Sequence, residues 1–432
     1  MPVSNRKNRL TTLMQTRPLL EPVLSRLVAL LVCVLANCSM SHVVAQDQVE
    51  ESAPSRPLLL AHYMPWYTAK SDNSEWGWHW TMNHFDPDKI SADSGLPQLA
   101  SHYHPLIGPY DSGDASVLEC QLLQMKLAGI DGVIVDWYGL KDFRDYASLH
   151  RNTTQLVTQV TQLGMRFVIC YEDQTVPALV DAGMLSANDR VKHVASEIRW
   201  MAEHWFSQPS YVRFKGKPLL LSFGQAGLTD EEWTTCLRSL DHSIAYVSQH
   251  KRRSAAVGAF DWPIPREGIA ACERFRSASA EWELAIPVAF PRFVDIYEEA
   301  SVHKSWGQID DRSGSTFRDT LREALTSKPF IVQLATWNDW GEGTVIEPSH
   351  EFGYRDLEHL QRVHRERFKK GSLARESDLR LPQQILQLRR SGRAATAEVD
   401  LLVRRLAQGD FEAARAQLRE LSGPHQGSPD SQ

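Results

Sequence analysis

Met125-Lys-Leu-Ala-Gly-Ile-Asp-Gly-Val-Ile-Val-Asp-Trp-Tyr138 holds, in one stretch, the unit from which most of this chain is built. Its first residues close a helix that begins near Asp114, with Val117, Leu118, Gln121, Leu122 and Met125 at helical spacing. Gly129 ends that helix, because glycine enters the left-handed conformation without steric cost. Gly132-Val-Ile-Val-Asp136 follows as a short apolar run, the pattern of a strand covered on both faces. The run finishes in an acid and two aromatics.

The same unit recurs outward in both directions. Leu58 to Tyr63, Arg166 to Tyr171, Pro218 to Ser222, Ile244 to Val247, Ala256 to Ala259, Leu284 to Ala289 and Phe330 to Ala335 are further apolar runs. Helical stretches, among them Thr153 to Leu163 and Asn188 to Trp205, lie between them. Eight buried strands alternating with helices predict an α/β fold with a parallel sheet, closed as a (β/α)8 TIM barrel rather than left open. No Gly-rich phosphate loop follows any strand, which argues against a nucleotide. The body of the barrel is expected at 56–372.

The strand ends carry the candidate chemistry. In a TIM barrel they converge on one mouth, and here they read His62-Tyr63-Met-Pro-Trp66-Tyr67, Asp136-Trp137-Tyr138, Tyr171-Glu172-Asp173 and Asp261-Trp262. The last is Thr336-Trp337-Asn338-Asp339-Trp340-Gly-Glu342-Gly-Thr-Val-Ile-Glu347-Pro348. Indoles suit the C–H face of a sugar ring, and carboxylates suit its hydroxyls or its bond cleavage. Asp339 and Glu342 are the candidate catalytic pair, Glu342 as acid and Asp339 as base or nucleophile. Candidate substrate-binding residues are His62, Tyr63, Trp66, Tyr67, Asp136, Trp137, Tyr171, Glu172, Asp261, Trp337, Asn338 and Trp340. Trp80, His104 and Tyr110 join them from the long loop 66–113. Glu347 is expected to brace the loop.

The remaining features set context. Five basic residues precede the apolar run Leu27 to Ala36, and Val43-Val-Ala45 is a small-residue cleavage site, so 1–45 reads as an export signal. A secreted or periplasmic protein is expected, with a signal-anchor or lipoprotein as alternatives. Removing that segment's five basic residues and one acid takes the net charge from −6 to −10, which disfavours nucleic acid and anionic membrane. Four cysteines remain, too few for a disulfide scaffold, though one bridge such as Cys236–Cys272 is open. Five histidines crowd the first loop and its flank without a His-Glu-x-x-His helix or a Cys pair, so neither metal nor cofactor is expected. Beyond the barrel, 373–432 reads as a helical hairpin, Thr396 to Ala407 and Asp410 to Leu421, packed on the barrel and ending in a polar tail. A monomer is expected.

Taken together, His62-Tyr-Met-Pro-Trp-Tyr67, Trp78-His-Trp80, His104-Pro-Leu-Ile-Gly-Pro-Tyr-Asp-Ser112, Met125 to Trp137 and Trp337 to Pro348 resemble glycoside hydrolase families 71 and 99. The likeness spans roughly 57–365, with the motifs in the family's order. It implies a (β/α)8 α-glycanase. In the endo-α-mannosidase family the last-strand motif carries two Glu residues. The first deprotonates the sugar's 2-hydroxyl to give an anhydro-sugar, and the second protonates the leaving oxygen. Glu342 matches the second. Asp339 stands where the first would be, one methylene shorter, as in the α-1,3-glucanase motif. The resemblance therefore implies an endo-acting hydrolase of α-mannan-type polysaccharide or oligosaccharide. The alternatives are an α-1,3-glucanase and a non-hydrolytic carbohydrate-binding or glycan-modifying protein.

Overall fold

The computed structural model describes residues 56–71, 74–368 and 374–422. The expected export signal and polar tail lie outside these residues. Eight parallel strands form the centre: β1 (Leu58–Tyr63), β2 (Gly132–Trp137), β3 (Arg166–Glu172), β4 (Lys217–Phe223), β5 (Ala245–Gln249), β6 (Gly258–Phe260), β7 and β8 (Ile331–Leu334). β7 is Leu284–Ile286 continued, after Pro287, as Val288–Ala289. Its first half pairs with β6 and its second half with β8, and β8 pairs with β1, so the sheet closes on itself through this one broken strand. Proline has no N–H to give the ladder, but its carbonyl still accepts from the Gln333 amide at 2.9 Å. The predicted TIM barrel is thus the observed one.

The opening stretch folds as its residues dictate. Asp114 caps α1 (Ala115–Ala128) by accepting from the Ser116 amide, and Gly129 ends it at φ 89°. A Cβ on Gly132 would lie 1.9 Å from the Arg166 carbonyl, so only glycine lets β2 approach β3 there. Around the barrel follow α2 (Tyr146–Gln162), α3 (Arg190–Met201), α4 (Asp230–Arg238), α5 (Ile269–Ala278), α6 (Ser315–Ala324) and α7 (Arg355–Phe368). The connection from β5 to β6 contains no helix. α2 begins seven residues before the predicted Thr153, because Tyr146 and Leu149 also reach the core.

Three helices follow, not two: α8 (Leu381–Ser391), α9 (Thr396–Gln408) and α10 (Phe411–Ser422). Ile385, Leu386, Leu402, Leu406 and Leu418 join the same apolar core as the barrel. Arg389 grips Glu119 of α1 with two hydrogen bonds, 3.0 and 2.8 Å, and Arg415 grips buried Asp378 likewise at 2.7 and 2.6 Å. Cys120, Cys170, Cys236 and Cys272 are all buried free thiols, so the Cys236–Cys272 bridge is not made. Each of that pair lies buried in its own helix, α4 and α5.

Candidate active site

Strand alternation decides which strand-end residues share the mouth, since neighbours on a strand point to opposite sides. His62 reaches the interior, edge-on to Trp262 (4.8 Å between centroids) and Phe223 (6.4 Å), with Nδ1 3.4 Å from the Gln333 side chain. Burial lowers its pKa to about 4, so the imidazole is neutral at working pH. Gln333 in turn donates to the Asp261 carbonyl at 3.0 Å. Tyr63, the next residue, points the other way and donates to Gln121 of α1. Trp137 and Tyr171 also face the helices: Trp137 meets His150, Trp200 and Trp205, and the Tyr171 hydroxyl donates to Glu197. These three candidates for substrate contact are not at the mouth. Their partners Asp136 and Glu172 are.

Four of the predicted carboxyl groups gather there. Asp339 receives the Glu342 amide at 2.9 Å, while its own amide donates to Thr336 Oγ1 at 2.8 Å. Burial, opposed by the Glu342 and Gly341 amides, pushes its pKa up to about 7. Glu342 is held well above the usual range by burial, then by the charges of Asp339 and Asp295, with a Trp262 hydrogen bond opposing. Asp136 rises through burial and Asp339, and Glu172 through burial and Asp136. Asp261 is not among them: its neighbour Trp262 faces His62, while the Asp261 carboxyl turns toward His250 and the Cys272 helix, its pKa raised by burial and offset by His250. Among the described residues, Glu342 Oε2 and Asp136 Oδ1 are buried with no hydrogen-bond partner. So many neighbouring acids cannot all be ionised. Some stay protonated, and their bare oxygens suit a ligand rich in hydroxyls.

A second set of residues holds the motif still. Glu347 accepts from Tyr110 (2.8 Å) and Gln121 (2.7 Å). The Tyr110 hydroxyl receives Asn338 Nδ2 (3.2 Å) and Trp340 Nε1 (3.3 Å), and its carbonyl receives Trp80 Nε1 (2.8 Å). Asn338 exchanges two hydrogen bonds with the Met64 main chain, tying the β8 loop to the β1 loop. Trp80, Tyr110, Asn338 and Trp340 are therefore framework, fully buried. Tyr67 spans both roles, accepting the Trp340 amide at 3.0 Å while Asp339 and burial raise its pKa. Trp337 is buried with its indole N–H unpartnered among the described residues, and its amide donates to the His62 carbonyl. Trp66, partly exposed, stacks on His79 at 4.2 Å. His104 lies off the mouth, bound to Glu351 at 2.9 Å.

Three further groups stand at the mouth: Tyr138, which the sequence places in a strand end without a site role, and two that it does not single out. Tyr138 has its pKa raised by burial, Asp136 and Glu172. Asp295 is buried and accepts from Ser305 and from the Trp306 amide. Tyr297 feels both Asp339 and Glu342. The available signal was an acid and an aromatic shortly after β7, in Phe293-Val-Asp-Ile-Tyr297. His62, Asp136 and Cys170 also bring three donor atoms within 4.8 Å of one another. Burial and nearby carboxyls keep the Cys170 thiol protonated, which makes it a poor metal ligand.

A closed (β/α)8 barrel whose C-terminal mouth holds buried acids among indoles is the frame of a glycoside hydrolase. The model of Glycosyl hydrolase family 99 matches residues 56–248. A glycoprotein endo-alpha-1,2-mannosidase-like protein of Danio rerio is 24% identical over 331 residues, 66% of this chain and 69% of its own. A glycoprotein endo-alpha-1,2-mannosidase of Mus musculus is 22% identical over 346 residues, 70% of each. The solved GH99 endo-alpha-mannosidase from Bacteroides thetaiotaomicron shares the fold, with a TM-score of 0.53 at 19% identity, covering 70% of this chain and 94% of that one. The chain is thus a glycoside hydrolase similar to family 99, whose model matches its residues 56–248.

Proposed function

We propose that this chain is an exported, endo-acting hydrolase of α-mannan-type polysaccharide that works through Glu342 and Asp339. The observation that carries the reading is the asymmetry of this pair. Asp339 is held by main-chain N–H donors that favour its ionised form, whereas Glu342 Oε2 is buried, bare and beside Asp339, which favours the protonated form. Glu342 then gives its proton to the leaving glycosidic oxygen. Asp339 takes a proton from the attacking hydroxyl, either the sugar's own 2-hydroxyl or a water. Asp136 and Glu172 hold substrate hydroxyls. The names of the mannosidase relatives support the sugar, and the basic and apolar N-terminal segment supports export.

The test is reducing-end release from a panel of α-mannans and α-1,3-glucans, with Glu342→Gln beside the wild type. Release from mannan by the wild type, and a loss of about 100-fold or more in the variant, is expected. Release from α-1,3-glucan alone would overturn the sugar assignment. Silence on every polymer, with both proteins binding one of them, would leave a carbohydrate-binding barrel.

A further inference from the structure

We infer that Trp306, with His303 and Tyr297 beneath it, is a stacking subsite for a neutral sugar unit beyond the bond that is cleaved. This rests on the glycan-hydrolase reading above and extends it to the length of chain recognised.

Trp306 is 57% exposed, yet its backbone is firmly mounted. Its amide donates to Asp295 at 2.9 Å, the Ser305 hydroxyl donates to the same carboxylate at 3.0 Å, and the Ser305 amide donates to Glu298 at 3.2 Å. An indole left in water on a pinned loop exposes a flat apolar face that folding has not used. That face continues inward. Trp306 and His303 lie 4.7 Å apart between ring centroids, and His303 and Tyr297 4.5 Å. Trp306 therefore stands within 9.2 Å of the Tyr297 ring.

Tyr297 reaches the carboxylates. A point at the Cβ position of Gly341 is 3.5 Å from the Tyr297 hydroxyl and 3.6 Å from Asp339 Oδ1. The loop is also fastened to the motif itself, because the Val294 and Ile296 amides donate to the carbonyls of Glu342 and Gly341, each at 3.0 Å. The ring ladder thus runs from the catalytic pair to solvent on one rigid support. Its rings offer C–H stacking surfaces, and the flanking charges are of both signs, Asp295, Glu298 and Glu299 against Lys304 and Arg266, so no single sign of charge selects an ionic glycan. A neutral hexose is the ligand that fits.

The experiment compares the full chain with Trp306→Ala and Trp306→Phe on α-mannan oligosaccharides of increasing length, and on the α-1,3-gluco series if that is the polymer cleaved. Trp306→Ala should lower kcat/KM about tenfold on the longest oligosaccharides, mainly through KM, with the loss shrinking toward the shortest one cleaved. Trp306→Phe should recover most of it. An equal loss at every length, or none at any, overturns the subsite. Binding of the same oligosaccharides to Glu342→Gln, with and without Trp306→Ala, is followed by indole fluorescence. It reads the subsite independently of turnover: a length-dependent difference supports it, and identical affinities refute it even if the hydrolase reading fails.

Discussion

Replacing Glu347 with Gln should change how stability depends on pH, and the structure fixes the direction. The carboxyl is buried, accepts from Tyr110 and Gln121, and has its pKa raised by that burial from the ordinary 4.5 to about 8. Between those values the folded chain keeps a proton that the unfolded chain has released. The stability associated with this proton is fully present below the unfolded value and is lost as pH rises through the folded one, at up to about 1.4 kcal/mol per pH unit. Integrated over the interval, the ceiling is about 5 kcal/mol. A Gln side chain has the shape of the protonated acid and does not titrate. At pH 5 the variant should lie within about 1 kcal/mol of the wild type, the cost of one imperfect hydrogen bond. Toward pH 8 it should become more stable than the wild type by about 2–4 kcal/mol. Urea unfolding of both proteins at pH 5, 6, 7 and 8, under conditions where refolding is complete, measures the difference. Two parallel lines of stability against pH would refute the reasoning, since they would mean that Glu347 titrates alike in both states.

Further outcomes follow from the same groups. The rate should climb with pH as Asp339, at about 7, ionises, and fall where Glu342, held above the ordinary carboxyl range by burial and by Asp339, loses its proton, giving a bell-shaped profile in kcat/KM. An optimum in the ordinary carboxyl range, at about pH 4, would refute the raised pKa of the pair. Tyr110→Phe removes a hydroxyl that serves Glu347, Asn338 and Trp340 together. It should cost about 1–3 kcal/mol in a denaturant series and lower kcat by loosening the Asp339 loop; unchanged stability would show that the network is dispensable.

The eight strands were legible because a parallel barrel strand is covered on both faces and so reads as an unbroken apolar run. The sorting of the strand ends follows a finer period than the apolar runs display. His62 and Tyr63, Asp136 and Trp137, and Glu172 and Tyr171 are neighbours on their strands, and each pair splits between mouth and helix layer. Taking whole strand ends as site residues ignores the two-residue period. Asp295 and Tyr297 escaped for a different reason. They lie past β7 on a short hairpin, Phe293–Val294 with Gln308–Ile309, and only the folded loop returns them to Glu342. The framework role of Trp80, Tyr110 and Trp340 was hidden because an indole that braces a loop and one that stacks on a sugar have the same local sequence.

The mouth carries its acids against the grain of stability, and the framework explains how it can. Asp136, Glu172, Asp339 and Glu342 are each held above their ordinary pKa, chiefly by burial, so each makes folding less favourable as pH rises. Such a cluster persists only when the surrounding structure over-determines it. Here the ends of β1 and β8 are locked by Asn338 to Met64, and behind them Trp80, Tyr67, Tyr110 and Trp340 pack as one aromatic block. The block is buried and continuous with the barrel core, so the carboxyls cannot relax outward to water without breaking it. Desolvation is thereby built into the site before substrate arrives. Under the proposed roles of Asp339 and Glu342, the raised pKa of the acid rests on this buried framework as much as on the pair itself.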